Sequence, residues 1–327
     1  MRRARRRDIR RAGAWLGALA LALPTASGAQ GYPERPIRLT VAYSPGGATD
    51  LQARIVSMAA GEGEHLGQPM VIVNKPGAGG KVGWTWFVTR AQKTGYDVAA
   101  YNLPHFIAQS IVLEARYGVE NLEPIANWGA DPAVLLVGRD SPLGSVGDLV
   151  AHARDHPGSI TVSGAGLYVG HHIALLQLER AAQIDLTYVP YNGGTPALTS
   201  VIGGQVQAGF NNLSDAYRSR DQLKILAVAD VARNEEFLPD VPTFLELGVE
   251  VDDSSVNLRG LMVPQGTPPE VIDLLAERVP GMFRDSNVVR RMREGGAPMR
   301  VMEREEVRAL WRRRHEILTA LLANLAE

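Results

Sequence analysis

A short apolar segment that ends in a glycine turn and continues as a helical pattern limits this chain to few architectures. Residues 37–42 predict a buried strand, and the turn Pro45-Gly46-Gly47 follows it. Thr49 and Asp50 are both favourable helix caps, and apolar residues then recur at helical spacing. The first N–H groups of a helix have no intrahelical partner, and the helix dipole makes that end positive. The sequence therefore predicts a turn that holds a carboxylate or a phosphate.

The same succession of strand, small-residue turn and helix occurs three more times along the chain. The turns cover residues 74–80, 163–166 and 191–195. Each follows an apolar run and precedes a helical pattern, and this alternation predicts parallel strands joined by crossover helices. All four turns then lie at the carboxyl ends of strands, where open α/β sheets bind their ligands.

Two of the turns fall in each half of the sequence, so we predict two α/β lobes that face each other across one cleft. A mainly parallel sheet is expected in each lobe. One lobe would comprise residues 30–138 and 256–327, and the other residues 139–255. The two chain crossings, near residues 133–137 and 258–263, would form hinge strands.

Residues 1–29 have the layout of a secretory signal peptide. Residues 2–11 form a basic region with seven arginines, residues 12–23 form an apolar core, and small residues follow. The apolar core is too short to span a membrane, which takes about 20 residues. We expect cleavage near Gly28-Ala29 and release into the periplasm. Arg6-Arg7 weakly resembles a twin-arginine signal. We nevertheless expect export by the general secretory route.

Charge and cysteine content exclude several classes of function. The chain has a net charge of −1, but the signal segment carries seven arginines and one aspartate, so the remainder has a net charge of −7. An acidic body argues against nucleic acid as a partner. The sequence contains no cysteine, which excludes thiol chemistry, disulfides and cysteine-ligated zinc.

Four motifs in residues 32–327 resemble the substrate-binding proteins of tripartite tricarboxylate transporters, also called Bug receptors. The motifs are AYSPGGATD at 42–50, NKPGAGG at 74–80, VPYNGGTPAL at 189–198 with GGQV after it, and LPDVPT at 238–243. The resemblance implies a two-lobed periplasmic-binding-protein fold of type II that closes like a Venus flytrap. It implies a di- or tricarboxylate or an aromatic acid as ligand, and a carrier with a large and a small membrane subunit as partner.

The resemblance also implies that the first two turns and the turns of the second lobe hold one ligand carboxylate, mainly through backbone N–H groups. Asp50 is either a ligand contact or only a helix cap. We expect no cofactor, no metal and a monomeric protein. The residues expected to bind the ligand are Tyr43, Ser44, Gly46, Gly47, Thr49, Asp50, Gly77, Ala78, Gly79, Gly80, His105, Ser163, Gly164, Ala165, Gly166, His172, Asn192, Gly193, Thr195 and Asn211.

The second lobe departs from the family pattern. Val169 and His171 stand where hydroxyl side chains are common, while Gln207 and Asn211-Asn212 stand where acidic residues are frequent. This half of the site is therefore expected to be amide-like rather than acidic. An amino acid is a less favourable ligand there, because its ammonium group needs a carboxylate partner. Asp50 is a candidate anchor for an amine or a hydroxyl.

Other functions find less support in the residues. The glycine turn at 77–80 lacks the Gly-Lys-Ser/Thr of a phosphate loop. His171 and His172 would point about 100° apart on a helix, so they are poorly placed to share a metal. No Gly-x-Ser-x-Gly nucleophile turn is present, and no enzyme activity is expected. Two alternatives stay open, namely a receptor that reports to a membrane sensor and an exported hydrolase or transferase on a similar frame.

Overall fold

The computed structural model describes residues 31–323. The predicted signal peptide and its cleavage site lie outside the described residues. Within the described range, no helix has both the length and the apolar character needed to cross a lipid bilayer.

The strands form two sheets. The first sheet has the strand order β11-β4-β10-β3-β1-β2, and the second has the order β7-β6-β8-β5-β9. We call the first sheet and its helices lobe I, and the second sheet and its helices lobe II. The strands in residues 31–323 are β1 (Ile37–Val41), β2 (Met70–Asn74), β3 (Asp97–Leu103), β4 (Leu122–Asp131), β5 (Ala133–Gly138), β6 (Thr161–Gly164), β7 (Thr187–Pro190), β8 (Ala208–Asn212), β9 (Leu223–Ala229), β10 (Asn257–Pro264) and β11 (Met299–Met302).

Helices connect these strands, and one follows each of the four turns that the sequence predicts. The helices after the turns are α1, α2, α5 and α6. The helices in residues 31–323 are α1 (Ala48–Ser57), α2 (Lys81–Arg90), α3 (His105–Val112), α4 (Val146–Asp155), α5 (Gly170–Ala182), α6 (Gly194–Ile202), α7 (Leu213–Arg218), α8 (Pro269–Arg284), α9 (Ser286–Glu294) and α10 (Arg304–Ala323).

Both sheets are mixed, in place of the mainly parallel sheets expected from the sequence. β1 pairs in parallel with β2 and β3, and β6 pairs in parallel with β7 and β8. β10 and β5 instead pair antiparallel with both of their neighbours. The strand–turn–helix units are thus parallel as predicted. The sheets are mixed because β5 and β10, the strands next to the chain crossings, run antiparallel to their neighbours. No local sequence pattern specifies the direction of these two strands.

The chain passes from lobe I to lobe II at Pro132. β4 ends at Asp131 in the first sheet, and β5 begins at Ala133 in the second. Residues 133–138 therefore pair within lobe II, whereas the sequence analysis assigned them to lobe I. The reason is that an apolar run predicts a buried strand without naming its partner strands. Hinge motion at the crossings stays a prediction.

The core of lobe I holds the carboxyl ends of its strands in place. All seven residues of β3 are buried, as are the rings of Trp84 and Phe106. Trp311 of α10 packs edge-on against Phe106, with ring centroids 4.7 Å apart. Each large apolar side chain buried in this way contributes about 1.5–3 kcal/mol, so the turns at the strand ends rest on a rigid base.

Candidate functional site

A small cavity of about 30 Å³ lies between the two lobes, at the carboxyl ends of the parallel strands. Both lobes contribute to it, so the two halves of the site meet only when the lobes are together. Its lining residues are Tyr43, Ser44, Gly47, Ala48, Thr49, His105, Ala165, His171, Gly193, Gly194, Thr195, Pro196, Asn212 and Asn257.

Four helices begin at this cavity. α1 and α3 come from lobe I, and α5 and α6 come from lobe II. None of these four N-terminal ends has a side-chain cap, so their first N–H groups remain available. Each helix end carries roughly half a positive charge. The cavity lining itself contains no aspartate, glutamate, lysine or arginine. Backbone dipoles therefore supply a positive potential without any cationic side chain in the lining, and the arrangement can hold an anion.

Glycine makes the first turn compact. Gly46 has φ +84°, a conformation that other residues adopt only with strain. Gly47 caps α1, and a Cβ on it would lie 3.6 Å from Thr195 Oγ1 of lobe II. A larger residue at position 47 would therefore fill the space that separates the lobes.

Asp50 holds the first turn together from behind and does not line the cavity. Its Oδ2 accepts from the Gly46 backbone N–H at 2.9 Å, and its Oδ1 accepts from Asn74 Nδ2 at 2.8 Å. Arg54 forms two further hydrogen bonds to the carboxylate. Burial alone would raise the pKa of Asp50, but the hydrogen bonds from Arg54, Gly46 and Asn74 outweigh burial and lower it. Four hydrogen bonds thus occupy the carboxylate, and this arrangement does not favour the expected anchoring of an amine or a hydroxyl by Asp50.

The second turn lies at the seam between the lobes, beside the cavity. A Cβ on Gly79 would lie 3.5 Å from the Cα of Gly166 in the third turn. Gln109 Nε2 donates to the carbonyl of Gly79 at 3.2 Å and to that of Leu167 in lobe II at 3.0 Å. On the other side, Ser44 Oγ donates to the carbonyl of Asn192 at 3.2 Å. These contacts join the two lobes in a closed arrangement.

The third turn brings His171, rather than the predicted His172, to the cavity. His171 Nδ1 accepts from the backbone N–H of Ala165 at 3.1 Å. His172 Nδ1 accepts from the N–H of Tyr168, and its ring stacks on Tyr188 with centroids 4.3 Å apart. Because successive helix residues point about 100° apart, a helix that turns His171 inward turns His172 away.

Burial keeps the histidines of the site neutral. It lowers the pKa of His171 to about 4; Arg259 also lowers it, while Asn212 and Asp131 act in the opposite direction. Burial lowers the pKa of His105 well below its usual value, and the nearby His171 and Arg259 add to this effect. Both imidazoles therefore act as neutral hydrogen-bonding groups.

A buried polar network beneath the cavity connects the lobes. Arg259 Nη1 donates to Asp131 Oδ2 at 2.7 Å, and both side chains are fully buried. Arg259 Nη2 donates to Asn212 Oδ1 of lobe II at 2.8 Å, and its Nε donates to Thr49 Oγ1 of lobe I at 3.2 Å. The arginine charge is thus paired with Asp131, and its remaining donors orient lining residues of both lobes.

Fewer than half of the residues predicted to bind the ligand line the cavity. Eight line the cavity, namely Tyr43, Ser44, Gly47, Thr49, His105, Ala165, Gly193 and Thr195. Twelve lie outside the lining, namely Gly46, Asp50, Gly77, Ala78, Gly79, Gly80, Ser163, Gly164, Gly166, His172, Asn192 and Asn211.

Six further residues line the cavity without having been predicted from the sequence, and ligand contact by any residue stays a prediction. The missed residues are Ala48, His171, Gly194, Pro196, Asn212 and Asn257. Five of them are sequence neighbours of predicted residues. Asn257 had no local signal, because β10 joins the site from far along the chain.

Comparison with known proteins shows one family along most of the chain. A family model described as the tripartite tricarboxylate transporter family receptor matches residues 53–316. The protein BugT of Bordetella pertussis is 31% identical over 293 residues, which cover 87% of this chain and 87% of BugT.

Solved structures show the same architecture. The periplasmic binding protein BugD has a TM-score of 0.80 at 27% identity, with 90% of this chain and 98% of that chain covered. MatC from Rhodopseudomonas palustris with bound malate has a TM-score of 0.80 at 25% identity, with 89% of this chain and 100% of that chain covered. These likenesses confirm the predicted two-lobed α/β fold.

Proposed function

Since the chain belongs to the tripartite tricarboxylate transporter receptor family, as its four motifs predicted, we propose that it is an extracytoplasmic receptor for a small organic carboxylate. The family consists of substrate-binding receptors rather than enzymes. In this proposal the lobes close on the carboxylate and exclude water. The loaded receptor then delivers its ligand to a carrier that has a large and a small membrane subunit.

The convergence of four uncapped helix N-termini on an uncharged cavity carries this proposal. α1 and α6 reach the cavity from opposite lobes, so their positive ends repel each other when the lobes close around nothing. A carboxylate between them turns this repulsion into attraction. A ligand shifts a conformational equilibrium only through such a difference in affinity between the two states. An anion is therefore the ligand that favours closure.

The size of the cavity favours a compact acid. A water molecule occupies about 10–15 Å³ on the same scale, so the closed cavity of about 30 Å³ has room for only a few atoms beyond those of the protein. The structurally similar MatC holds malate, a four-carbon dicarboxylate. We accordingly expect a short-chain acid to fit with small adjustments, and a tricarboxylate or an aromatic acid to require a less closed form.

Thermal unfolding of the purified protein with a panel of acids tests the proposal. The panel comprises short mono- and dicarboxylates, citrate and benzoate, each with its uncharged amide as matched control. At 100 times Kd, a ligand that binds only the folded state adds about 2.7 kcal/mol of stability, which raises Tm by several degrees. We expect at least one acid to do so while its amide does not.

The same samples test the alternative of an exported hydrolase or transferase. Chromatography after incubation should recover the stabilising acid unchanged. Conversion of the acid would contradict the receptor function and favour an exported hydrolase or transferase. If no acid of the panel raises Tm, the proposed ligand class is wrong.

A further inference from the structure

Two buried histidines face the cavity from opposite lobes. His105 is the first residue of α3 in lobe I, and His171 is the second residue of α5 in lobe II. Each residue is 2% exposed, and both line the cavity. They are close neighbours, since a Cβ on Gly170, the residue before His171, would lie 3.4 Å from His105 Cε1.

Each histidine has at least one buried ring nitrogen without a hydrogen-bond partner among residues 31–323. His171 Nδ1 accepts from the Ala165 N–H, so the proton of the neutral ring is on Nε2. That Nε2 makes no well-formed hydrogen bond among residues 31–323, although the Asn212 side chain is near enough to act on the pKa of the ring, and Nδ1 of His105 has no partner either. Buried polar atoms are nearly always paired in folded proteins, so two orphans at one cavity indicate that a ligand completes them.

One group that both accepts and donates can complete both atoms. It accepts from His171 Nε2–H, and it donates to Nδ1 of His105 when that ring carries its proton on Nε2. A hydroxyl group satisfies both requirements. A carbonyl oxygen accepts only, and an ammonium group would need a carboxylate, which the lining does not contain.

We propose that His105 and His171 together bind a hydroxyl group of the ligand, so that this receptor selects hydroxycarboxylates over the corresponding acids without the hydroxyl. The inference rests on the proposed function, because the helix N-termini are taken to hold the carboxylate. Loss of the hydroxyl leaves two buried polar atoms unpaired, and this lowers affinity more than the loss of one exposed hydrogen bond would.

Calorimetric titration with matched acids tests the inference. The pairs are malate and succinate, lactate and propionate, and 3-hydroxybutyrate and butyrate. In at least one pair the hydroxy acid should bind wild type about tenfold or more tightly. Aspartate, which has an amine in place of the malate hydroxyl, should bind more weakly than malate.

Variants assign the preference to the histidine. In His171→Leu the preference should shrink to about twofold or less, because the donor is gone. His171→Gln should keep part of it, since an amide nitrogen can replace Nε2. His172→Gln is the matched control: the next residue on the same helix lies outside the cavity, and the preference should persist.

The outcomes distinguish failure of the histidine inference from failure of the proposed receptor function. Carboxylates that bind wild type without any preference for the hydroxyl overturn the histidine inference alone. The same holds if the preference survives in both His171 variants. If no carboxylate binds, the proposed function fails together with the inference. Wild-type titrations settle the first point even if a variant does not fold.

Discussion

At the residue scale, buried histidines without charge make the protein sensitive to acid. Burial lowers the pKa of His172 to about 4, as it does for His171. In the unfolded chain an imidazole has a pKa of about 6.5. As pH falls below that value the unfolded state binds protons that the folded state does not. The stabilising contribution is therefore complete above pH 6.5 and is lost as pH falls toward 4.

Replacing His172 with glutamine should reduce this acid sensitivity. Between pH 7 and pH 5 the wild type should lose about 2 kcal/mol through this one group, and His172→Gln should lose that much less. Urea denaturation at the two pH values measures the difference. His156→Gln, whose ring is exposed, should retain the wild-type pH dependence. Equal losses in His172→Gln and wild type would contradict the assignment.

The sequence could predict which turns line the cavity better than it could predict which side chain makes a given contact there. Tyr43 directly precedes a glycine turn, Thr49 and Thr195 follow one, and all three line the cavity. The choice between His171 and His172 depends on the rotation of α5 about its axis, which packing on distant strands decides. Asp50 could be predicted as a helix cap or as a ligand contact, and only its hydrogen bonds to Gly46, Arg54 and Asn74 distinguish the two.

At the element scale, hydrogen bonds to the Asp50 carboxylate stabilise the first strand–turn–helix unit. Asp50 is buried, and it ties the turn before α1 to the helix and to the end of β2. A related arrangement occurs before α4, where Asp148 accepts from the backbone N–H of Gly144 at 3.0 Å, but there the side chain is exposed. Both aspartates therefore accept a hydrogen bond from the backbone N–H of a preceding glycine, but only the Asp50 side chain is buried.

Alanine substitutions should separate these two cases. Asp50→Ala leaves the Gly46 N–H and Asn74 without their acceptor, and we expect a loss of about 2 kcal/mol in the free energy of unfolding. Asp148→Ala should cost less than about 1 kcal/mol, because water replaces an exposed acceptor. Urea unfolding of both variants provides the comparison. Similar losses in the two would show that the buried contacts add nothing.

Elements were predictable where a turn marked their ends. The four glycine turns located α1, α2, α5 and α6, because glycine and a following cap are local signals. α3 was missed: its first five residues are all buried, so it shows no alternation of polar and apolar faces. The lobe to which β5 belongs could not be predicted either, since its partners β8 and β9 lie more than 70 residues away.

At the scale of the whole molecule, two sets of contacts join the lobes on either side of the cavity. The seam contacts of Gln109 and Ser44 lie at the turns. Beneath the cavity, Arg259 of lobe I donates to Asn212 of lobe II and is paired with Asp131 of its own lobe. Desolvation makes a buried ion pair a weak source of net stability, while loss of one partner is costly. Asp131 therefore holds Arg259 in place, and Arg259 in turn connects lobe I to Asn212 of lobe II.

Titration of the most stabilising carboxylate into wild type and Gly47→Val tests the central claim, that the lobes close on an anion at the first turn. Position 47 has φ −77°, which valine tolerates, but its side chain would project toward Thr195 across the cavity. Gly63→Val is the control, since no atom lies within 4 Å of a Cβ at that position. We predict one saturable site in wild type and Gly63→Val, and affinity lower by about 100-fold or more in a folded Gly47→Val. Equal affinity in Gly47→Val, or no carboxylate binding to wild type, would contradict the account.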